Sequence, residues 1–386
     1  MEQQPLRRVE QFRLLTETGP DSLMGKLLRK FWHPIALAED VSERQARPVR
    51  VLGEDLTLYR GESGQPYLVA SRCAHRCTVL HTGWIEGEQI RCMYHGWRYD
   101  GTGLCTEIPA EKQPRSRPVR IAGYPVHEYC GLIFAYLGAA PAPEFDLPRK
   151  HVLEDPQRSV IAKKEVWDCN WFAHVENSLD AVHVSFAHQW GSLGQFGSLI
   201  TGTVPDLAYE ETSAGIRQIA TRSKDNVRIS DWTFPNNNHV VAPGPEKSDP
   251  WADISAWPVP MDDRNTMRFT LYSVPTTDAA KVAGLKVKYD LTYDPREHAD
   301  TLFRGEVAGI SEPALISAQD YVAVRGQGEI YDRSQENLST SDAGVVFLRR
   351  IFLRELEAIR QGRPTKQWTR LNDAPHLPPP PAEAAE

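Results

Sequence analysis

Four side chains that commonly bind transition metals lie in two short segments early in the chain. Cys73 and His75 form the first pair, and Cys92 and His95 form the second, with sixteen residues between the pairs. Two cysteines and two histidines suit either a tetrahedral zinc ion or a [2Fe–2S] cluster with mixed ligands. Because zinc fingers usually group cysteine with cysteine and histidine with histidine, the C-x-H and C-x2-H spacing favours the cluster. Buried thiols beside surface histidines are a third interpretation.

A second group of possible ligands lies further along the chain. In a helix over about residues 170–187, Glu176, Asp180 and His183 fall on one stripe, because positions i, i+4 and i+7 nearly align. His188 can reach the same metal only if the helix ends, bends or bulges after His183. Two histidines and a carboxylate form the facial triad of iron oxygenases, which leaves positions for O₂ and substrate. Alone, the pattern is equally consistent with a solvated acidic helix.

Strand-like runs surround the Cys/His segments. Residues 48–70 predict three short strands and residues 123–138 are again strand-like, so residues 46–138 form a small all-β unit. Residues 139–148 are rich in Pro and Ala and mark a boundary. We expect four segments: an N-terminal segment 1–45 packing on the larger domain, a domain 46–140 with the Cys/His pairs, a larger domain 150–365 with the second group of possible ligands, and a disordered tail 366–386.

The second half mixes strands and helices, which predicts an α+β chain. The β-type runs are 165–172, 215–222, 265–274 and 285–293, and the helical runs are 170–187, 301–325 and 342–360. Four aromatic residues are candidates for the wall of a substrate pocket: Trp251, Trp257, Phe269 and Tyr272. Packing in the hydrophobic core is the simpler explanation for each of them. Residues 236–239 predict a polar turn that meets either substrate or solvent.

Composition narrows the class of protein. The 386 residues carry a formal charge of −7, which argues against a general nucleic-acid binder because that needs a basic patch. The first twenty residues contain no secretory signal, and no run approaches the roughly 20 apolar residues of a membrane span. We therefore expect a cytoplasmic protein. The remaining cysteines are interpreted as free thiols, and Cys77 is expected to be buried; they are Cys77, Cys105, Cys130 and Cys169. The histidines interpreted as structural are His33, His81 and His127.

Together the two patterns resemble the Rieske non-haem iron oxygenases, a family of ring-hydroxylating dioxygenases and O-demethylases. That family combines C-x-H and C-x2-H with a later E/D-x3-D-x2-H-x4-H, which residues 176–188 match in full. The segments LMGKLLRKFWHPIAL, CAHRC, CMYHGWRYDGTG and QDYVAVRGQG look most like the phthalate-dioxygenase branch. The resemblance implies an all-β Rieske domain followed by a helix-grip, START-like antiparallel sheet domain that holds a mononuclear iron.

The resemblance also implies the roles of the side chains. The two Cys/His pairs would bind one [2Fe–2S] cluster per subunit, and His183, His188 and Asp320 would bind one Fe²⁺. Spacing alone leaves three other carboxylates open for the last position: Glu306, Glu312 and Asp332. Asp180 would not bind metal, but would bridge His183 and the partner subunit's His95. This bridge implies a head-to-tail ring, most often a homotrimer.

The implied chemistry is O₂ activation with electrons from a separate NAD(P)H-dependent reductase, directly or through a ferredoxin. No G-x-G-x-x-G fingerprint is present, so the reductase should be another chain. The substrate would be an aromatic compound, typically a carboxylate, and monooxygenase, dioxygenase and O-demethylase outcomes remain open. Two rivals are a Rieske electron carrier, which needs only residues 46–138, and a hydrophobe-binding module, which needs neither His183 nor His188. An oxygenase of non-aromatic substrates is a further alternative.

Overall fold

The computed structural model describes residues 8–113, 116–145, 151–188, 203–246, 248–307 and 309–368. The helices of these residues are α1 Arg8–Thr16, α2 Leu23–Leu28, α3 His151–Glu154, α4 Trp171–Ser178, α5 Val184–Ala187, α6 Ala279–Lys288, α7 Ala299–Phe303, α8 Glu312–Arg325 and α9 Ala343–Arg360. Among the described residues, no helix has both the length and the apolar character that crossing a bilayer requires.

The strands fall into a group before residue 140 and a group after it. The first group is β1 Trp32–Leu37, β2 Ala46–Val51, β3 Glu54–Arg60, β4 Pro66–Ala70, β5 Trp84–Glu86, β6 Gln89–Arg91, β7 Arg98–Tyr99, β8 Cys105–Glu107, β9 Gly123–Tyr124, β10 Val126–Tyr129 and β11 Leu132–Tyr136. The second group is β12 Ser159–Trp167, β13 Asp206–Glu211, β14 Gly215–Ser223, β15 Asn226–Thr233, β16 Asn237–Ala242, β17 Ala252–Pro260 and β18 Thr266–Val274.

Three small sheets make up the first group of strands, and two of them carry the Cys/His segments. Strands β2, β3, β4 and β9 form one four-stranded sheet in that order, and β5 to β8 form a second. In the third sheet, β11 lies between β1 and β10, and Trp32 pairs with Tyr136. The three strands predicted within residues 48–70 are therefore present, as β2, β3 and β4.

A seven-stranded antiparallel sheet, in the order β12-β18-β17-β16-β15-β14-β13, dominates the second half. Its strands alternate buried and partly buried positions, as along β12 from Ser159 to Trp167, because successive side chains point to opposite faces. Helix α4 contacts β17 and α8. The predicted α+β organisation, with small β-sheets followed by a large antiparallel sheet and helices, is thus observed.

Two predictions of strand were wrong in part. The run 165–172 is a strand only to Trp167, because Asn170 caps α4 by accepting a hydrogen bond from the Phe172 backbone N–H. The Asn170 amide also donates to the carbonyl oxygens of Thr16 and Asp263, which fixes where the helix begins.

The run 285–293 was predicted to be a strand, but α6 extends to Lys288 and a turn follows. Asp278 caps this helix by accepting hydrogen bonds from the backbone N–H groups of Ala280 and Lys281. Leu285 is its only buried side chain, so alternation of apolar residues does not reflect a buried strand face. Local capping outweighs the period-2 pattern here.

The C-terminal helix α9 is held against the rest of the second half by aromatic residues. Phe352 is fully buried, and its ring centroid lies 5.0 Å from that of Phe234, 5.2 Å from Phe172 and 5.8 Å from Trp171. Just beyond it, Trp368 stacks on Phe234 at 4.6 Å. Residues 369–386 of the predicted disordered tail lie outside the described residues.

A buried ion-pair network ties α4 to the C-terminal part of the chain. The Glu176 carboxylate accepts hydrogen bonds from Arg333 at 2.7 Å, Arg349 at 2.6 Å and the Tyr331 hydroxyl at 2.9 Å. Glu176 is 5% exposed and is the one ion-pair partner of Arg333 among the described residues, whereas Arg349 also pairs with Glu336 at 2.7 Å.

We therefore predict that Glu176→Gln lowers the free energy of unfolding by about 3 kcal/mol, because it leaves the buried Arg333 without an ion pair among the described residues and Arg349 with Glu336 alone. Urea unfolding of the metal-loaded protein, followed by circular dichroism, measures the change. Glu210→Gln is the matched control, since Glu210 is 59% exposed and lies 3.9 Å from Arg217. Equal midpoints for the two variants would contradict the structural role of Glu176.

Candidate metal centres

The two Cys/His loops have the same backbone construction. In the first loop, the N–H of Cys73 donates to the Thr78 carbonyl at 2.9 Å, and the N–H of Cys77 donates to the Cys73 carbonyl at 3.0 Å. In the second loop, Cys92 donates to Trp97 at 2.8 Å and Gly96 donates to Cys92 at 3.0 Å. Each loop thus turns tightly around its cysteine.

An arginine directly before each cysteine holds its loop closed. Arg72 donates to the Cys77 carbonyl at 2.9 Å, and Arg91 donates to the Gly96 carbonyl at 2.6 Å. The acceptor residues have left-handed φ angles of 59° and 73°. Glycine adopts this conformation without strain, whereas Cys77 must tolerate it. The Cys77 thiol is free and exposed, so the prediction that it is buried was wrong, because this turn directs it to the surface.

The loops direct their cysteines inward and their histidines outward. Cys73 and Cys92 are each 2% exposed, whereas His75 and His95 are exposed, with ring centroids 4.4 Å apart. The His75 ring stacks on Trp97 at 4.7 Å, within 3° of parallel. Burial, together with the neighbouring Cys73 thiol, raises the pKa of Cys92. Paired buried thiols below paired surface imidazoles fit a [2Fe–2S] cluster whose histidine-bound iron faces solvent.

A tyrosine hydroxyl lies beside one of these cysteines. The Tyr99 oxygen is 3.2 Å from Cys73 Sγ and accepts a hydrogen bond from the Ala74 N–H at 3.1 Å. A cysteine that binds a cluster is a thiolate, which can only accept, so in the loaded protein the hydroxyl would be the donor in this contact. Tyr99 is therefore placed to donate a hydrogen bond to a Cys73 thiolate.

The second centre begins where α4 ends. Leu179 is the C-cap, so the predicted continuous helix over 170–187 is wrong, and Glu176, Asp180 and His183 do not share a helical stripe. The Asp180 Oδ1 accepts hydrogen bonds from the N–H groups of Val182 at 3.0 Å and His183 at 3.2 Å. This turn breaks the helix before His183, and α5 then carries the chain to His188.

The break brings three predicted ligands together. The Asp320 Oδ1 lies 3.2 Å from His183 Nε2 and 3.4 Å from His188 Nε2, and one ligand atom of each residue lies within 4.8 Å of the others. Asp320 Oδ1 is buried and makes no well-oriented hydrogen bond. Burial would raise the pKa of Asp320, but the neighbouring imidazoles of His188 and His183 hold it well below its usual value. This donor set fits Fe²⁺.

Each imidazole is oriented through its other ring nitrogen. His188 Nδ1 lies 3.0 Å from Gln319 Oε1, and His183 Nδ1 donates to the Asp180 backbone carbonyl. The Asp180 carboxylate was expected to accept from His183, but its nearer oxygen is 3.9 Å from Nδ1, because Oδ1 binds the turn amides. Such contacts fix which nitrogen of a histidine faces a metal.

A cavity of about 270 Å³ opens onto these three side chains. Alternate residues of the large sheet form one wall, including Gln218, Ala220 and Arg222 of β14, and α4 and α8 form the other. Of the predicted wall residues, Tyr272 lines this cavity, whereas the other three are not among its described lining. Asn238 lines it too, but residues 236–239 belong mainly to β16 rather than to a turn.

Several lining residues were missed in the sequence. They are Lys163, His174, Arg222, Arg228 and Arg268, each of which carries a polar group into the cavity wall. Glu165 balances two of them, lying 3.0 Å from Lys163 and 3.2 Å from Arg268. The available signal was strand alternation, which places 218, 220 and 222 on one face, but it does not tell which face meets the cavity.

Comparison with known proteins agrees with this geometry. A Rieske [2Fe–2S] domain model matches residues 31–128. The chain is 32% identical to the 5,5'-dehydrodivanillate O-demethylase oxygenase subunit of Sphingobium sp. (strain NBRC 103272 / SYK-6), over 96% of this chain and 86% of that protein. The chain belongs to the Rieske oxygenase family. It is also 31% identical to phenoxybenzoate dioxygenase subunit alpha of Ectopseudomonas oleovorans, over 88% of this chain and 83% of that protein.

A solved structure extends the likeness to the whole fold. The terminal oxygenase of carbazole 1,9a-dioxygenase from Nocardioides aromaticivorans IC177 superposes with a TM-score of 0.68 at 19% identity, covering 91% of this chain and 98% of that chain. The predicted fold class, a Rieske domain followed by a helix-grip sheet domain, is confirmed. As a Rieske oxygenase subunit, the chain binds a [2Fe–2S] cluster and receives electrons from a separate partner.

We predict that Tyr99→Phe lowers the reduction potential of the Rieske cluster by on the order of 50 mV, because hydrogen bonds to cluster sulfur favour the more negative reduced state. A potentiometric titration followed by electron paramagnetic resonance measures the shift. Tyr67→Phe is the control, since its hydroxyl donates to Glu88 at 3.0 Å instead. An unchanged potential in Tyr99→Phe would show that this hydroxyl does not interact with the cluster.

Proposed function

We propose that this chain is the terminal oxygenase that hydroxylates or O-demethylates an aromatic carboxylate, using O₂ and electrons from an NAD(P)H-dependent reductase. The observation that carries the proposal is the meeting of His183, His188 and Asp320 at the wall of the cavity of about 270 Å³. An electron carrier has no use for this second donor set. A hydrophobe-binding module has no need of a buried carboxylate that faces two imidazoles.

In this proposal, the chain has two metal sites with different roles, electron transfer and O₂ activation. Cys73, His75, Cys92 and His95 hold the cluster, and His183, His188 and Asp320 hold a mononuclear Fe²⁺. When bound, the cluster supplies single electrons and the mononuclear iron supplies O₂ activation. The exposed edges of His75 and His95 offer a route by which an electron leaves the cluster. Three protein ligands leave open positions beside the cavity.

The remaining residues keep the second site in place. Gln319 and the Asp180 carbonyl orient the two imidazoles, and the large sheet forms one wall of the cavity. The domain boundaries follow as proposals: a segment 1–45 packing on the catalytic domain, a Rieske domain 46–140 and a catalytic domain 150–365. The contacts of α1 and α2 with α9 support the first of these.

Asp180 is proposed to act between subunits of a head-to-tail homotrimer. Its Oδ1 is engaged by the turn amides, but its side chain is 32% exposed and lies beside His183. In this arrangement the outward carboxylate oxygen accepts a hydrogen bond from an imidazole N–H of the partner subunit's His95. A closed ring of three such contacts would give every mononuclear site a cluster from its neighbour.

The substrate class rests on the relatives and on the cavity. The two relatives are named for dehydrodivanillate and phenoxybenzoate, both aromatic carboxylates. The cavity combines apolar side chains such as Val240, Ile254 and Tyr272 with cationic ones. Ligand pockets of this kind bury an apolar body and fix it with a few polar groups.

Product analysis under ¹⁸O₂ tests the proposal. The reconstituted enzyme, supplied with NADH and a surrogate reductase, should convert an aromatic carboxylate from a panel into a product with ¹⁸O in a ring hydroxyl, or release formaldehyde from a methoxy group. The His183→Ala variant should keep the visible spectrum of the cluster, lose mononuclear iron and form no product. Conversion that is equal in His183→Ala, or confined to non-aromatic compounds, would contradict the proposal.

The bridging role of Asp180 makes a separate prediction. Asp180→Asn should keep the cluster spectrum and both metals but reduce turnover at least about a hundredfold, because metal-coupling carboxylates orient the groups that pass electrons. Single-turnover reoxidation of the pre-reduced cluster, with substrate and O₂ present, measures the step directly. Glu210→Gln is again the control. Reoxidation at the wild-type rate in Asp180→Asn would rule out the bridge.

A further inference from the structure

Two arginines stand side by side on the inner face of the large sheet. Arg222 lies near the end of β14 and Arg228 near the start of β15, on either side of the short hairpin turn. Both line the cavity that also contains Asp320. Since β14 and β15 are separated from β18 by two or more strands, the pair lies on the opposite side of the cavity from Arg268.

Arg222 makes no ion pair with any carboxylate in the described parts of the chain. Its Nη2 makes two long contacts, 3.5 Å to the Ala181 carbonyl and 3.4 Å to Ser185 Oγ, and its Nε is buried without a partner. Arg217, on the same strand, contrasts with it, since its Nε donates to Asp231 at 2.8 Å. Arg222 therefore has N–H donors available for a ligand, whereas the donors of Arg217 are used by Asp231.

Arg228 reinforces the positive charge at this position. Its Nη2 donates to the Val241 carbonyl at 2.5 Å. Burial and the charge of Arg222 lower the pKa of Arg228 to about 10. Two neighbouring guanidinium groups at a cavity wall repel each other and would both be stabilised by one anion, and a carboxylate matches the guanidinium fork.

We propose that Arg222 and Arg228 bind the carboxylate of the substrate and so fix which position of its ring faces His183, His188 and Asp320. The inference rests on the proposed function and deepens it by assigning the anion subsite. Arg222 also contacts residues 181 and 185, which flank His183. A carboxylate held there is tied to the same segment as the iron ligand, so its distance from the metal is fixed.

A purely structural role for Arg222 makes a different prediction. If Arg222 only braced residues 181–185, its removal would loosen the His183 segment and weaken every ligand alike. An anion subsite instead discriminates a carboxylate from its uncharged amide, which has almost the same size and shape. Selectivity between the two therefore separates the roles, whereas affinity alone does not.

Calorimetric titration of the oxidised, metal-loaded enzyme without reductant tests the subsite in the absence of turnover. The probes are benzoate, phthalate and 3-phenoxybenzoate, each beside its primary amide. Wild type should bind at least one carboxylate more tightly than its amide by about 10- to 100-fold. Arg222→Met and Arg228→Met should each remove most of this preference, leaving amide binding within about threefold. Arg222→Lys should restore part of it, because charge remains but the fork is lost.

Lys224→Met is the matched control, because it removes one positive charge from the exposed turn of the same hairpin. It should leave the preference unchanged. Wild type that binds no carboxylate of the panel more tightly than its amide overturns the subsite, as does an undiminished preference in Arg222→Met. Iron content and ¹⁸O₂ products, measured on the same samples, report on the proposed function separately. Full activity without carboxylate preference refutes only the subsite.

Discussion

A carboxylate and two imidazoles can face one another inside a protein only if something compensates for their desolvation. In this chain the Nε2 atoms of His183 and His188 lie within 3.4 Å of Asp320 Oδ1, and that oxygen has no well-oriented hydrogen bond. A divalent cation is the simplest compensation, because it accepts all three lone pairs at once. The surrounding structure serves this approach: α4 stops at Ser178, the Asp180 turn redirects the chain, and α8 delivers Asp320 from the far end of the sequence.

The two halves of the molecule differ in how far their candidate metal-binding side chains are exposed. The Rieske loops bury their cysteines and expose their histidines, so that an electron stored inside can reach the surface. The second half does the reverse, enclosing its donor set between a sheet face and two helices, where substrate can exclude water. Asp180 lies between the donor set and the surface, with its side chain partly exposed beside His183. In the proposed function, one subunit holds both centres, and the proposed ring brings the centres of neighbouring subunits together.

The sequence revealed the sites better than the elements around them. The cluster ligands could be proposed from the sequence because all four candidates between Cys73 and His95 lie in two short loops, where spacing along the chain largely determines distance in space. Asp320 required family resemblance, since its approach to His183 depends on the packing of α8 and no local pattern encodes it. The helix break before His183 was missed because an Asp side chain that caps a turn looks the same as one on a helical stripe. Arg222 was not predicted as a site residue because alternation along β14 does not tell which face of the sheet lines the cavity.

Iron and acid-labile sulfide, counted on the same anaerobically reconstituted preparation, test most directly whether the chain carries two distinct centres. Three irons and two sulfides per chain are expected, with two irons in the cluster and one bound by the histidine–aspartate set. Two irons and two sulfides would describe an electron carrier and contradict the second centre. A preparation that takes up neither iron nor sulfide would contradict both.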